Sequence, residues 1–179
     1  GLNGLKYTEV NMSLNGGLGE VVTANKNKSI YKLTCEKIAA VKHCNNKDIW
    51  IITHQWNSDA FRAYLFTSAG VDPTPVISNV GLFIGGNTTA SIGQMKASRD
   101  GRKLAVAITD NTIKRCELYQ FDNFTGAVYN AITLPQYNIV NNYGPYGIEF
   151  SPDSKKLYCS VINPGQIFQY NLCAGSNAQ

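Results

Sequence analysis

The chain has 179 residues, of which 44% are hydrophobic and 16% charged, and its formal net charge is +4. This length allows a single domain with a substantial buried core. No apolar run approaches the roughly 18 residues of a membrane-spanning helix, so we expect no membrane span. The densest positive group, Arg99, Arg102 and Lys103, lies on a predicted turn and is interpreted as a solvated surface. We therefore expect no nucleic-acid partner.

The predicted elements begin with a short strand, KYTEVNMS, in an N-terminal segment of residues 1–38. The chain then repeats a strand-turn-strand pattern three times: VKHCNNKDIWIIT, QMKASRDGRKLAVAI and YGIEFSPDSKKLYCS. The alignment places His43, Ser98 and Ser151 in one column, with spacings of 55 and 53 residues. The turns carry Asp-Gly in the second copy and Pro-Asp in the third, which are typical turn residues, so each copy predicts a β-hairpin.

Each hairpin is followed by a third alternating strand that ends at a glycine, and the first two copies continue into a fourth short strand. The third strands are RAYLFTSAG, CELYQFDNFTG and QIFQYNLCAG, and the fourth strands are PVISNV and AVYNAITL. A repeated unit of four strands in about fifty residues is typical of the blades of a β-propeller. We predict an all-β fold, a partial β-propeller of three to four four-stranded antiparallel blades, in which the last blade lacks its outer strand.

The predicted blades set the domain organisation. One incomplete propeller domain spans residues 1–179, with blade repeats at about 39–80, 93–134 and 146–175 and an N-terminal partial blade at 1–38. A closed propeller has at least about four blades, and open strand edges invite association. We therefore expect the ring to be completed by the remainder of a longer parent protein, by a second copy or by other assembly subunits. KYTEVNMS is a candidate for the outer strand that closes such a ring.

The five cysteines, Cys35, Cys44, Cys116, Cys159 and Cys173, show no Cys-x-x-Cys spacing and no histidine at ligand spacing. We therefore predict neither a metal site nor a cofactor. Cys116 and Cys159 fall inside predicted strands, where a free thiol behaves as a small buried hydrophobic group. Cys35 and Cys44 are close enough in sequence to pair in an oxidising compartment. The odd count leaves at least one thiol free unless another chain binds it.

The acidic residues of the repeat, Asp48, Asp100, Asp122 and Asp153, fall on predicted turns. Aspartate stabilises turns by bonding its own backbone, so we interpret these residues as turn formers. No Ser-His-Asp order, glycine-rich phosphate loop or pair of carboxylates is apparent. The sequence therefore predicts no catalytic residue and indicates a non-catalytic module.

A ligand site is predicted on the face that carries the second-to-third loops of the blades and the connections between blades. It would gather eight residues: His54, Trp56, Asn57, Asp110, Asn111, Tyr143, Tyr146 and Asn163. Aromatic rings with amides nearby suit contacts to a glycan or a peptide. A structural interpretation stays open beside this one, in which Trp56 packs between blades and His43 and His54 are structural residues with satisfied hydrogen bonds.

Several segments together carry a family resemblance. The segments MSLNGGLGEV, KLTCEKIAAVKHCNNKDIWIITHQW, RAYLFTSAGV, GQMKASRDGRKLAVA and YGIEFSPDSKKLYCSV span about Met12 to Asn171. They resemble the N-terminal propeller, with WD40/YVTN-like repeats, of large secreted Bacteroidota proteins that end in a gliding-motility-associated sorting domain. The stretch from Lys42 to Trp50 is the most specific, with Asn46 in the family's usual glycine position. The resemblance implies type IX secretion, a place at the cell surface or outside the cell, and a scaffold or adhesive recognition role within a larger protein.

The last repeat carries a second resemblance. FSPDSKKLYCSVINPGQIFQYNLCAG is similar to repeats of lactonase-like propellers and of YVTN surface-layer proteins, which include enzymes as well as passive surface proteins. A shared fold does not decide between these functions. A lactonase-like propeller hydrolase is therefore the alternative function.

Overall fold

A computed structural model describes residues 3–109, 114–135, 144–162 and 165–173. These residues form antiparallel β-sheets, with short 3₁₀ helices at Asn15–Gly17, Thr23–Asn25 and Thr88–Ser91. The chain divides into two units, residues 1–34 and residues 35–179. No helix in the described part is long and apolar enough to cross a membrane.

Two small antiparallel ladders form the N-terminal unit: β1 (Leu5–Tyr7) with β4 (Lys28–Tyr31), and β2 (Val10–Asn11) with β3 (Glu20–Val21). The prediction of one strand over KYTEVNMS is wrong, because Thr8 and Glu9 interrupt it. Thr8 Oγ1 accepts a hydrogen bond from Asn27 N at 3.1 Å, and Glu9 N donates to Asn25 O at 3.1 Å. Both halves of the segment therefore pair within their own unit.

The first large sheet has its long strands in the order β5 (Thr34–Lys42), β6 (Ile49–Gln55), β7 (Ser58–Thr67) and β9 (Val76–Ile84). The short strand β8 (Gly70–Val71) pairs with the end of β7, and β9 pairs antiparallel with the rest of it. β5 alternates between buried and exposed side chains along most of its length. This alternation is typical of a strand with one face in the core.

The second sheet contains β10 (Met95–Ala97), β11 (Lys103–Thr109), β12 (Lys114–Phe121) and β13 (Val128–Thr133), and the third contains β14 (Pro145–Phe150), β15 (Lys156–Val161) and β16 (Ile167–Asn171). The strand pairs in both sheets are antiparallel. Within the described residues, β16 has a strand neighbour on one side only. The predicted fold class, an all-β partial propeller of consecutive antiparallel sheets, is confirmed.

The turns that follow the first strand of each sheet share one hydrogen-bond pattern. The amide of the first turn residue donates to the carbonyl five positions later at 2.9 Å in all three copies, from His43, Ser98 and Ser151. The residue three positions on, which is Asn46, Gly101 or Ser154, donates back at 2.9 Å and has a positive φ of 61°, 69° or 58°. Asparagine and glycine adopt this conformation more readily than other residues. The repeat seen in the sequence is therefore a repeat of turn geometry.

Strand β11 runs between two apolar cores and supplies alternate residues to them. Leu104, Val106 and Ile108 belong to the core that the second sheet shares with the first. Ala105 and Ala107 belong to the core that it shares with the third. Successive side chains of a strand point to opposite faces. The second sheet therefore packs against a neighbour on each side, as a blade of a propeller does.

A disulfide joins Cys116 on β12 to Cys159 on β15, 43 residues further along the chain, and links the second sheet to the third. The expectation that these two residues are free buried thiols is therefore wrong. The pairing of Cys35 with Cys44 does not form, because Cys35 is buried on β5 whereas Cys44 is exposed on the turn that follows. A cross-link over this distance stabilises the fold by restricting the unfolded chain.

Candidate functional site

Four of the eight predicted ligand contacts, Asp110, Asn111, Tyr143 and Asn163, lie outside the described residues. The other four lie on two sheets: His54 on β6, Trp56 and Asn57 on the β6–β7 turn, and Tyr146 on β14. Neither of the two cavities described below contains a residue of the β6–β7 turn. That these eight residues contact a ligand therefore remains a prediction.

His54 is fully buried within the first sheet. Its Nδ1 lies 2.9 Å from Gln55 O, to which the ring N–H donates, and the ring packs edge-on against Phe61 with centroids 4.7 Å apart. Within the described residues, Nε2 is buried without a hydrogen-bond partner. Burial lowers the pKa of His54 to about 4, so the ring is neutral at pH 7. In the described structure His54 is a residue of the core.

The β6–β7 turn uses Asn57 to hold the backbone. Asn57 has a φ of 54°, its amide donates to Ile84 O at 2.9 Å, and its Oδ1 accepts a hydrogen bond from Gly86 N at 3.0 Å. Trp56 is half-buried and packs against the core of the first and second sheets. The side-chain oxygen of Asn57, which could have contacted a ligand, is therefore hydrogen-bonded to the chain that follows β9.

Tyr146 is exposed and lines a groove of about 220 Å³ together with Glu36, Ile38 and Lys96. These residues come from β5, β10 and β14, the first strands of the three sheets. Lys96 Nζ forms an ion pair with Glu149 Oε2 at 2.9 Å. The cation of this groove is therefore already paired with a carboxylate.

A larger cavity of about 570 Å³ lies at the other end of β6, between the β5–β6 turn and the β10–β11 turn. We call this cavity the turn cleft; its polar lining includes Lys42, His43, Asn46, Arg99, Asp100, Arg102 and Asn123. Sequence reasoning favoured the opposite end of β6 and interpreted the arginines as a solvated turn. The aligned hairpins contain the signal that could have located this cleft, because equivalent turns of neighbouring blades lie side by side.

Asp100 also lines the turn cleft, and its carboxylate is held within its own turn. Its Oδ1 accepts hydrogen bonds from Ser98 Oγ at 2.6 Å and from Arg102 N at 3.2 Å, and its Oδ2 lies 3.8 Å from Lys103 Nζ. Partial burial acts to raise the pKa of Asp100, but these interactions outweigh it and lower the pKa. Asp100 is therefore a turn residue, as predicted.

The other acidic turn residues have the same role. Within their turns, Asp48 accepts a hydrogen bond from Asn45 Nδ2 at 2.7 Å, Asp122 from Phe124 N at 2.9 Å, and Asp153 from Ser151 Oγ at 2.6 Å. The prediction that these aspartates form turns is confirmed. Over the described ranges, no group of three or more His, Cys, Asp or Glu side chains could hold a metal ion.

Lys37 is a buried cation that sequence reasoning missed. Its Nζ donates to the carbonyls of Ser91, Ile92 and Gly93, at the end of the 3₁₀ helix that precedes β10. Burial lowers the pKa of Lys37 to about 8. Lys37 occupies an inward position in the alternation of β5, two residues from Cys35, and that period of two is the signal that could have located it.

Glu117 on β12 is a buried carboxylate that connects the second sheet to the first. Its Oε2 accepts hydrogen bonds from Tyr119 OH and, at 3.1 Å, from Leu82 N on β9, and its Oε1 accepts one from Thr133 Oγ1 at 3.1 Å. Burial, and then the charge of Glu117, raise the pKa of Tyr119. Buried polar groups with complete hydrogen bonding fix one arrangement of the core. We therefore interpret Glu117 as a structural residue.

Neither a protein-family model nor a curated protein sequence matches the chain. Solved structures do match it. A protein from Lactobacillus plantarum is 13% identical with a TM-score of 0.59, over 96% of this chain and 49% of that one. The periplasmic gluconolactonase PpgL of Pseudomonas aeruginosa is 13% identical with a TM-score of 0.56, over 86% of this chain and 43% of that one. The β-propeller domain of Swd1 from Myceliophteria thermophila is 13% identical with a TM-score of 0.53, over 96% and 51%.

The similarity to these structures concerns the fold. The chain spans about half the length of the structures it matches. At this level of identity, a shared propeller fold does not imply a shared function. The matched structures include a gluconolactonase and the β-propeller domain of Swd1, so the function of this chain has to be argued from its own residues.

Proposed function

We propose that this chain is a non-catalytic β-propeller module of a secreted or cell-surface protein, with a role in recognition or scaffolding. The observation that carries the proposal is the arrangement at the turn cleft. The turn carboxylate Asp100 binds its own turn, whereas Lys42, Arg99 and Arg102 line an open cavity. A catalytic acid or base must donate a proton to a substrate or accept one from it. A recognition site instead needs charged and polar groups that are free to contact a ligand.

The location outside the cytoplasm is supported by three observations. The Cys116–Cys159 disulfide is typical of proteins in oxidising compartments. The segments from Met12 to Asn171 resemble the propellers of type IX-secreted Bacteroidota proteins, in which such a domain is one part of a longer chain. One structure with the same fold, the gluconolactonase of Pseudomonas aeruginosa, is periplasmic. We therefore place the chain in a larger exported protein.

A lactone hydrolysis assay separates this proposal from the lactonase-like alternative. We expect the purified chain, with calcium or zinc added, to hydrolyse gluconolactone no faster than buffer, because the turn aspartates are engaged in hydrogen bonds. Metal-dependent turnover that is lost in Asp110→Asn and retained in Asp100→Asn would establish the alternative. Asp100→Asn is the matched control because its carboxylate serves its own turn.

We also propose that another polypeptide covers the edge of the third sheet: the remainder of a parent protein, a second copy or another subunit. Strand β16 has no strand on its outer side in the described chain, and Ile167 on it is 71% exposed. Unpaired strand edges associate readily. Burial of a few hundred Å² of apolar surface contributes several kcal/mol at about 25 cal/mol per Å², which is comparable to the stability of a domain.

Light scattering on the purified chain tests this edge. We expect a mass above that of the 19.6 kDa chain, with self-association reduced in Ile167→Lys, since a charge on an edge strand opposes pairing. Leu18→Lys is the control, because Leu18 is also exposed but lies in the N-terminal unit. A monodisperse monomer at high concentration, with cooperative unfolding, would contradict the proposal.

A further inference from the structure

We propose that the turn cleft binds an acidic saccharide, with the arginine and lysine side chains contacting its carboxylate or sulfate groups. The inference rests on the proposed recognition function and names the ligand class for it. The cleft measures about 570 Å³. This volume lies in the range of roughly 300–1,000 Å³ that is typical of ligand sites.

The cleft combines cations from two neighbouring sheets. Lys42 ends β5, and Arg99 and Arg102 lie on the β10–β11 turn. None of these three side chains takes part in an ion pair formed within the described residues. One carboxylate, that of Asp100, also lines the cleft, and its Oδ2 lies 3.8 Å from the Nζ of Lys103, which is not part of the lining. The three cations outnumber this single carboxylate, so the cleft keeps a net positive charge.

The shape of the cleft is fixed by backbone contacts rather than by its charged side chains. Cys44 N donates to Asn123 O at 3.2 Å, which ties the β5–β6 turn to the β12–β13 turn. Trp50 Nε1 donates to the same carbonyl at 3.1 Å. Gly101 approaches closely, since a side chain there would come within 3.2 Å of Val41. A ligand would thus meet a preformed site, which reduces the entropy lost on binding.

His43 adds a ring N–H donor to the cleft. Its Nδ1 accepts a hydrogen bond from Asn45 N at 3.0 Å, which leaves Nε2 as the ring nitrogen that can donate to a ligand. The centroid of the His43 ring lies 5.8 Å from that of Trp50 and 6.1 Å from that of Phe124, which is 68% exposed. The cleft therefore has a ring donor, and the exposed ring of Phe124 lies next to that donor, outside the lining.

This combination favours an acidic saccharide over the other anionic ligands. Arginine binds planar anions such as carboxylates through paired hydrogen bonds. The amides of Asn46 and Asn123 suit hydroxyl groups, and an aromatic surface such as that of Phe124 suits the apolar face of a sugar ring. A duplex or single-stranded nucleic acid would need an extended basic track. An acidic peptide would need apolar pockets for its other side chains, and the lining is predominantly charged and polar.

Isothermal titration calorimetry with the full 179-residue chain tests the site, with a hexagalacturonate as the carboxylate probe and a heparin-derived hexasaccharide as the sulfate probe. Maltohexaose is the neutral probe, and hexaglutamate is the peptide probe. We expect at least one acidic saccharide to bind, more weakly at high salt, and maltohexaose not to bind. The double variant Arg99→Gln/Arg102→Gln should weaken binding about 100-fold, since each charge-assisted hydrogen bond contributes roughly tenfold.

Lys155→Gln is the matched control. Lys155 occupies in the third sheet the turn position that Arg102 has in the second, and the amide of each donates to the turn aspartate, at 3.1 Å and 3.2 Å. It is not part of the turn cleft, so Lys155→Gln should change the affinity by less than about twofold. If the double variant fails to fold, Lys42→Gln tests the same site, because it removes a cation from the other side of the cleft and should also weaken binding.

Three results would overturn the inference: no binding of either acidic saccharide, wild-type affinity in the double variant and in Lys42→Gln, or tighter binding of hexaglutamate than of both saccharides. The lactone assay on the same preparation judges the proposed function separately. Failure to bind saccharides without lactone turnover would remove the ligand assignment and leave the non-catalytic role, whereas turnover would remove that role.

Discussion

Gly81→Ala is expected to lower the free energy of unfolding by about 3 kcal/mol or more. Gly81, on β9, has a φ of 87°, which costs a residue with a side chain roughly 1–2 kcal/mol. A Cβ atom there would also lie 2.7 Å from Tyr119 Cε1 and 2.9 Å from Glu117 Oε2. It would displace the tyrosine from the buried carboxylate, and the loss of a hydrogen bond to a charged group adds about 2 kcal/mol. Urea unfolding followed by circular dichroism measures the change.

Gly70→Ala is the control for this prediction. Gly70 has a φ of 111°, but a Cβ atom there would meet nothing within 4 Å, so only the backbone strain of roughly 1–2 kcal/mol is expected. Tyr119→Phe completes a double-mutant cycle, because it removes the hydroxyl that the new methyl group would meet. If the contact is the cause, the double variant loses less stability than the sum of the single variants. Equal losses in Gly81→Ala and Gly70→Ala would refute this explanation.

The repeat of the fold could be predicted because it is encoded locally. The turns at His43, Ser98 and Ser151 are each set by residues within five positions, so their chemistry is visible in a short stretch of sequence. The strand after each turn follows from alternation. The N-terminal segment was wrongly predicted as one strand. Thr8 and Glu9 form hydrogen bonds with Asn27 and Asn25, and strand propensity does not indicate these bonds.

Contacts between blades could not be predicted in the same way. The Cys116–Cys159 disulfide depends on which faces of β12 and β15 meet, and nothing in either strand alone specifies that. Glu117 is similar, since its partner Leu82 lies 35 residues away on the neighbouring sheet. Strand alternation identifies the buried positions, but the identity of the partner is a property of the packed structure.

The candidate site shows the same division. The sequence favoured the β6–β7 loop as a ligand site because of its aromatic and amide residues. In the structure, Trp56 packs against the core, and Asn57 Oδ1 accepts a hydrogen bond from Gly86 N. The turn cleft arises between two hairpins whose turns are separated by about fifty residues, and so it needs the blade arrangement before it can be seen. Arg99 is on a turn, as predicted, but the neighbouring turn makes that surface a cavity.

His54 is expected to make the chain less stable in mild acid. Burial lowers its pKa from 6.5 to about 4, with the charge of Lys37 acting in the same direction, while the bond to Gln55 O and the charge of Asp59 oppose it. Because the folded pKa is the lower one, the unfolded chain binds the proton more tightly, and stability present above pH 6.5 is lost as the pH falls towards 4. Between pH 7 and pH 5 this group alone should remove about 2 kcal/mol from the free energy of unfolding.

The variant His54→Met isolates this contribution. Methionine fills irregular core space without titrating, and the change removes the buried Nε2, which has no hydrogen-bond partner in the described residues, at the expense of the bond to Gln55 O. We expect it to be close to wild type in stability at pH 7 and more stable than wild type by about 2 kcal/mol at pH 5. His43→Gln changes the other histidine, which lies on a turn, and is measured alongside for comparison. Urea unfolding of the three proteins at both pH values measures the differences, and parallel curves for wild type and His54→Met would show that the buried ring does not titrate as its environment dictates.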